Sequence, residues 1–433
     1  MKEFITYKDK TITFSEFDNL VNSLIMKFNK FEQLDDFIII KEDNPIQFYT
    51  LLFALWQCNK KVVFPNRDFF EGESFEFVKY IIDIDEIYTN KEYKKIDGIV
   101  GDTVLFSSGS TGKPKGIVHK KESFFQNAQE VLSRLNINKI TSITPLKPYL
   151  VSALSHFLVH KLSSSHLIFV EADQLSTVKD ISAKYEKLSY VGSPMHILSM
   201  MPYMSNQNPE LFFSSGDIFY LSALEEIFNK YPKTTFFNVY GMAELAGRLF
   251  INKITSNTDK SQYKSIGKNL DIMDVKFQDD EVYVKSAILF DGYIKDNIYY
   301  KQETEYFASG DKVINKNNIY EFYGRSNDEI KIAGNKVSLK YIEQLISTVL
   351  DDNITPIIVS EKHKLFGNLI VLVVYTADNV YVSKTELIKI LKKQLKNYEL
   401  PHRIYKIDTI PYTQTMKIDR NIIVNNLNKL QIL

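Results

Sequence analysis

The sequence predicts an α/β protein: a large N-terminal α/β region of several subdomains, one of them β-rich, followed by a small C-terminal α+β domain. Three observations predict it. The chain has 433 residues, more than one core fills at roughly 150 residues per domain, so two or three folding units are expected. Strand-like apolar runs alternate with helix-length segments from residue 8 to residue 239, the pattern of sheets with helices on their faces. From residue 274 the texture turns to short alternating runs, and the end of the chain has a strand and helix pattern of its own.

Each element follows from a local signal. Residues 11–14 alternate as a strand; Phe17, Leu20, Val21, Leu24 and Phe28 then fall at helical spacing, with Ser15 as N-cap and Asp18 three residues on. Alternation followed by a helix recurs at 37–40 and 46–58, with a further strand at 61–64. Apolar runs at 103–106, 167–170, 188–191 and 235–239 continue the layer. Runs at 275–277, 281–284 and 319–322, broken by Asp, Asn and Gly, give a β-rich subdomain over about 265–324. The last part shows a helix at 339–350, strands at 354–360 and 369–375, and a long amphipathic helix from Ser383. There Ser383 with Glu386 makes a capping box, and Leu387, Ile388, Ile390, Leu391 and Leu395 line one face. The expected division is 1–324 and 325–433.

Composition narrows the function classes. Lys plus Arg and Asp plus Glu each number 53, which removes the electrostatic reason to expect nucleic acid or an anionic membrane as partner. With 44% hydrophobic residues, 16 Gly and 12 Pro the chain is a packed globular protein rather than a disordered or low-complexity one. A single cysteine, Cys58, can form neither an internal disulfide nor a Cys-based metal site, which fits a reducing, cytoplasmic setting. The first ten residues carry charges with no apolar run behind them, unlike a signal peptide. The apolar stretches at 48–58 and 369–375 fall short of the ~18 to 20 residues that span a bilayer, so no membrane span is expected.

The most informative segment is 103–119, TVLFSSGSTGKPKGIVH. A strand ends in Ser107, Ser108, Gly109, Ser110, Thr111 and Gly112, followed by Lys113, Pro114, Lys115 and Gly116. Hydroxyls, glycines that allow close backbone approach, and lysines suit a polyphosphate. The loop is not a Walker A loop, in which four residues separate the glycines and Ser or Thr follows GK; here two intervene and Pro114 follows Lys113.

SSGSTGKPKG resembles the phosphate-loop signature of the adenylate-forming superfamily, which includes acyl- and aryl-CoA synthetases, adenylation domains of peptide synthetases and firefly luciferases. Four further segments match in the family's order: NVYGMAE at 238–244 (adenine and magnesium), SGD at 309–311 (ribose), YGRSNDEIKIAGNKV at 323–337 (interdomain hinge) and PYTQTMKIDR at 411–420 (C-terminal lysine). The resemblance implies ATP and Mg2+ as cofactors. It places Lys417 on a mobile C-terminal domain against the carboxylate and phosphate oxygens, where cations should lower the barrier to attack on the α-phosphate. It implies Glu244 as the magnesium-contacting acid, Tyr240, Asn238 and Gly216 at adenine, Asp311 on the ribose hydroxyls, and Arg325 on the ribose or phosphate side. Lys336 adds a second cation near the phosphate, and Asn327 stands at the hinge.

This sequence departs from the family at three points. Ala243 stands where a threonine usually bonds the α-phosphate, Asn327 replaces Asp or Lys at the pivot, and Met416 replaces the glycine before the lysine. Ala243 leaves one donor missing unless a neighbour supplies it, so a slower or rearranged adenylation is expected; neither Asn327 nor Met416 removes a charge the chemistry needs. By the same resemblance the acyl pocket is walled by residues 146–156, 192–195, 214–217 and 241–243. The first segment lacks the acid that amino-acid-activating members use for the α-ammonium, so a simple aryl or fatty carboxylate is expected, Asp217 being the one unconventional partner for an ammonium. His156 and His160 read as ordinary helix residues. The expected activity is ATP-dependent carboxylate activation with transfer to a thiol, most simply that of coenzyme A. The alternatives are a carrier protein's phosphopantetheine and a non-catalytic nucleotide-binding protein.

Overall fold

The computed structural model describes residues 2–28, 36–66, 70, 72, 75–107, 115–135, 137–205, 208–217, 219, 221–326, 329–332, 335–351, 353–363, 367–376, 383–413 and 417–433. Two large sheets form its body. The first has nine strands in the order Lys268–Asn269, Gly247–Ile254, Thr235–Met242, Leu211–Ser215, Leu188–Gly192, Thr141–Thr144, His166–Phe169, Glu3–Tyr7 and Lys10–Thr13. From Thr235–Met242 to Glu3–Tyr7 neighbours pair in parallel, and the edges turn antiparallel. The second has eight: Ile298–Lys301, Gly292–Lys295, Lys115–His119, Thr103–Ser107, Val62–Val63, Ile38–Ile40, Tyr80–Ile82 and Ile87–Thr89.

The helices between these sheets are chosen by their apolar faces. Helix Pro45–Gln57 is buried at eleven of its 13 positions, as a helix enclosed by core on all sides must be. Asn44 caps it, its side chain accepting from Ile46 N at 3.0 Å, and Pro45 opens the first turn. Its Phe53 and Trp56 join Phe4, Phe17, Phe124 and Phe157 in one core shared by both sheets. Helix Phe14–Phe28 forms where helical spacing predicts it, but its capping box lies two residues earlier. Thr13 Oγ1 accepts from Glu16 N and Glu16 returns to Thr13 N, so Thr13 and Glu16 replace Ser15 and Asp18.

The β-rich segment divides between two sheets. Asp274–Gln278, Glu281–Lys285, Phe307–Lys316 and Ile319–Arg325 make a four-stranded antiparallel sheet. Gly292–Lys295 instead pairs with Lys115–His119 and extends the eight-stranded sheet. After a two-stranded ribbon, Glu329–Ile332 with Asn335–Ser338, comes a separate sheet of Ile354–His363, Gly367–Thr376, Arg403–Ile407 and Gln431–Ile432. Helix Leu339–Ser347 packs on it. The helix expected from Ser383 is short, Lys384–Leu391, and Ser383 makes no side-chain cap bond; its buried face is Leu387 and Leu391. No helix among the described residues is long and apolar enough to cross a membrane.

Glu343, on helix Leu339–Ser347, is 1% exposed. Both its oxygens accept from Arg420 Nη2 at 2.7 Å, Oε1 faces Lys340 Nζ at 3.1 Å, and Oε2 accepts from Ile358 N at 2.9 Å. Burial alone would raise its pKa, but Lys340, Arg420 and the Ile358 N–H hold it below the ordinary 4.5. A folded-state pKa below the unfolded one contributes stability that is present above pH 4.5 and lost as the pH falls through the folded value. Glu343→Ala leaves two cations facing a buried gap and is expected to cost about 3 to 5 kcal/mol in denaturant unfolding at pH 7. The deficit should shrink in acid; equal stability of variant and parent at pH 7 would refute this account.

Candidate active site

Strand Thr235–Met242 sets one wall. Asn238 and Tyr240 are two residues apart on it and so share a face. The Tyr240 hydroxyl donates to Asp311 Oδ2, while Arg325 Nε donates to Oδ1 at 2.8 Å. Asp311 and Arg325 meet because they are register partners across Phe307–Lys316 and Ile319–Arg325. Burial pushes the Asp311 carboxyl up from 3.8, and Arg325 and Tyr240 oppose the shift. Burial, then Asp311, pushes the Tyr240 phenol well above 10.0, so it stays a neutral donor. A carboxylate oxygen has two lone pairs, which leaves Asp311 able to accept from a ligand while held by protein donors.

A second cluster lies across the cleft. Glu244 accepts from Lys115 Nζ at 3.1 Å and from the Tyr293 hydroxyl at 2.9 Å, and Lys115 sits 4.0 Å from the centroid of the Tyr293 ring. Its backbone is fixed as well: His119 Nε2 donates to Ala243 O at 2.7 Å and Phe290 N to Glu244 O at 3.0 Å. Burial lowers the His119 pKa to about 4, so the ring is a neutral brace. The two clusters are in electrostatic contact, Glu244 acting on Asp311 and Arg325 on Tyr293.

Lys417 enters from the far end of the chain. Its turn is closed by Thr413 N on Lys417 O at 2.7 Å, and its Cε lies 3.9 Å from where a side chain on Gly216 would begin. Gly216 has φ +94°, a conformation that suits glycine. The ammonium is solvent-reachable but ringed by protein: desolvation lowers its pKa, Asp217 and Asp311 pull it up, and Arg325 and Lys340 push it down. Lys340 bridges Asp217 at 3.1 Å, tying helix Leu339–Ser347 to the loop after Leu211–Ser215. Tyr412 OH meets Met195 Sδ at 4.0 Å on the same boundary.

The expected residues Gly216, Tyr240, Asp311, Arg325 and Lys417 therefore converge, with Glu244 and Lys115 facing them and Asn238 on the Tyr240 face. Ser108, Gly109, Ser110, Thr111, Gly112, Asn327 and Met416 lie outside the described residues, as do the side chains of Ser107 and Lys336. Tyr293, Lys340 and Arg248 were not singled out from the sequence. Lys340 follows the hinge motif by three residues and Arg248 follows Glu244 by four, so proximity to a motif was their only signal; Tyr293 had none.

Residues 101–294 match the family model described as AMP-binding enzyme. The structure superposes on the o-succinylbenzoate coenzyme A synthetase of Bacillus subtilis, solved in complex with ATP and magnesium ion, with a TM-score of 0.78 over 97% of this chain and 96% of that one at 19% identity. The matched segment carries Lys115, Asn238, Tyr240 and Glu244, and the shared fold extends over nearly the whole chain. Among curated relatives, a putative long chain fatty acid-CoA ligase, VraA, of Staphylococcus aureus strain MRSA252 is 24% identical over 95% of this chain and 92% of its own length. A D-alanine–D-alanyl carrier protein ligase of Staphylococcus aureus strain JH9 is 23% identical over 82% of this chain and 78% of its own.

Proposed function

We propose that this chain is an AMP-forming carboxylate ligase that activates an acid with ATP and passes the acyl group to a thiol. The observation that carries the reading is the seating of Lys417 beside Gly216, within the field of Asp311 and Arg325. A carboxylate oxygen attacks the α-phosphorus, the bond to the bridging oxygen of the β-phosphate breaks, and pyrophosphate leaves with that electron pair. Negative charge gathers where Lys417, with Arg325 and Lys115 at the rim, supplies fixed cations. In the second half a thiolate attacks the acyl carbonyl and AMP leaves.

Tyr240 and Asn238 would flank adenine with Gly216, and Asp311 would take the ribose hydroxyls. Glu244, a single carboxylate already oriented by Lys115 and Tyr293, fits a magnesium ion that draws its other oxygens from phosphate and water; when bound, the ion neutralises phosphate charge. Residues 1–324 would form the stationary body and 325–433 the part that turns between half-reactions. Coenzyme A is the favoured acceptor, supported by the relative named a fatty acid-CoA ligase and the CoA synthetase neighbour. The carrier protein ligase supports a phosphopantetheine arm as the second reading.

Pyrophosphate release from ATP and magnesium over a panel of acids, with and without coenzyme A, tests the reading. Thioester formed after release establishes a CoA ligase, release without thioester points to a carrier, and no release with any acid despite ATP binding refutes the ligase. Lys417→Ala should lower acid-dependent pyrophosphate release on the order of 10²- to 10³-fold while calorimetric ATP affinity stays within a few-fold; a variant that adenylates normally would remove Lys417 from the chemistry. ATP affinity should fall in acid as Asp311 protonates, at a pH above 3.8 because its pKa is raised. Arg325→Ala removes the opposing cation and should move that fall to higher pH, and an unshifted profile would count against Asp311 as the ribose carboxylate.

A further inference from the structure

Five of the six arginines are among the described residues. Arg134, Arg325, Arg403 and Arg420 each pair with a carboxylate. Arg248 is 3% exposed and pairs with none among the described residues. Its Nη2 donates to His156 Nε2 at 2.8 Å and reaches Ser152 O at 3.4 Å, its guanidinium lies 5.5 Å from the Phe213 ring centroid, and its Nε–H is buried without an acceptor among the described residues. A buried cation without an anion is costly, and so is a buried donor left unmade.

The position is built. Asn127 Oδ1 accepts from Arg248 N at 3.2 Å and Asn127 Nδ2 donates to Arg248 O at 2.8 Å, so the backbone is clamped on both sides. Arg248 is the register partner of Gly241. Ser152 and His156 belong to the first of the segments expected to wall the acyl group, Phe213 adjoins the third, and Gly241 opens the fourth. His156 accepts from the guanidinium; burial, then Arg248 and His160, lowers its pKa well below 6.5, so the ring is neutral and no second charge competes for an anion there.

We propose that Arg248 receives a second carboxylate on the acid being activated, so that dicarboxylic acids are the substrates this site is made for. A guanidinium presents a planar fork of donors that matches a carboxylate, and an acyl group ending in an anion supplies the charge and the acceptor that Arg248 lacks. A plain alkyl or aryl tail leaves both unmet. This rests on the ligase reading above and names its substrate class.

The test is pyrophosphate release by the intact chain over matched pairs: butyrate with succinate, octanoate with suberate, benzoate with isophthalate. The parent should favour the diacid in at least one pair by about 10²-fold or more in kcat/KM, since a site built around a polar group rejects the analogue that lacks it. Arg248→Met should abolish that preference with ATP affinity retained, and Arg248→Lys, which keeps charge but loses the fork, should keep part of it. A parent that favours the monoacid in every pair, or an Arg248→Met ratio equal to the parent's, overturns the assignment while the ligase reading stands. Release with no acid of either kind overturns both.

Discussion

The geometry of the cleft depends on one buried carboxylate. Glu343 holds Arg420, three residues past Lys417, and shares Lys340 with Asp217 on the opposite side of the cleft. The sheet that carries the lysine turn and the sheet that carries Gly216 are thereby linked through four charges. A single hydrogen-bonded ion network of this kind specifies an arrangement more than it stabilises one, because desolvation offsets much of its Coulomb energy. Half-buried at Asp217 and fully buried at Glu343, it is also the contact that the proposed turning of residues 325–433 would have to release, since Lys340 can leave Asp217 without leaving Glu343.

Around that network the protein collects cations on a chain whose formal net charge is zero. Lys417, Lys340, Arg325 and Lys115 face the cleft, and their carboxylate partners Asp217, Asp311 and Glu244 lie in the same place. Each acid is held by donors that fix its direction, so a ligand meets oriented groups rather than ones that must reorganise, which is the condition under which electrostatic stabilisation is worth most. Long-range attraction for polyanions is absent from such a design, and local, preorganised charge takes its place.

Much of this was legible in the sequence, for a physical reason. Asp311, Tyr240, Glu244 and Lys417 sit in motifs whose spacing is set by a strand or a turn, so local sequence carries their placement. Apolar periodicity likewise located the buried helix Pro45–Gln57 and the most apolar strands of both large sheets, among them Ile38–Ile40, Thr103–Ser107, Leu188–Gly192 and Thr235–Met242, while Thr141–Thr144, Leu211–Ser215 and Gly247–Ile254 were not read from it. What local sequence did not carry was competition between nearby solutions. Thr13 caps the first helix in place of Ser15 because Glu16, not Asp18, can reach back to it. The strand pair Gly292–Lys295 and Ile298–Lys301 reads like its neighbours in the β-rich segment, and only the edge offered by Lys115–His119 decides which sheet it joins. Lys340 and Arg248 are defined by partners 123 and 92 residues away, a distance at which no pattern in the chain speaks.

The same long-range contacts narrow the substrate. Asp217 was the one acid near the expected acyl pocket that an α-ammonium could use, and it is engaged by Lys340, with Lys417 in its field. On the ligase reading proposed above, an incoming ammonium would have to displace a cation from it, at an electrostatic cost. The loss of the usual hydroxyl at Ala243 bears differently on the chemistry: that segment is held by its backbone, through His119 and Phe290, so the fold does not require a threonine there. On the ligase reading, one donor to the α-phosphate would be given up without disturbing Glu244, and the charge that donor would have shared would fall to Lys417.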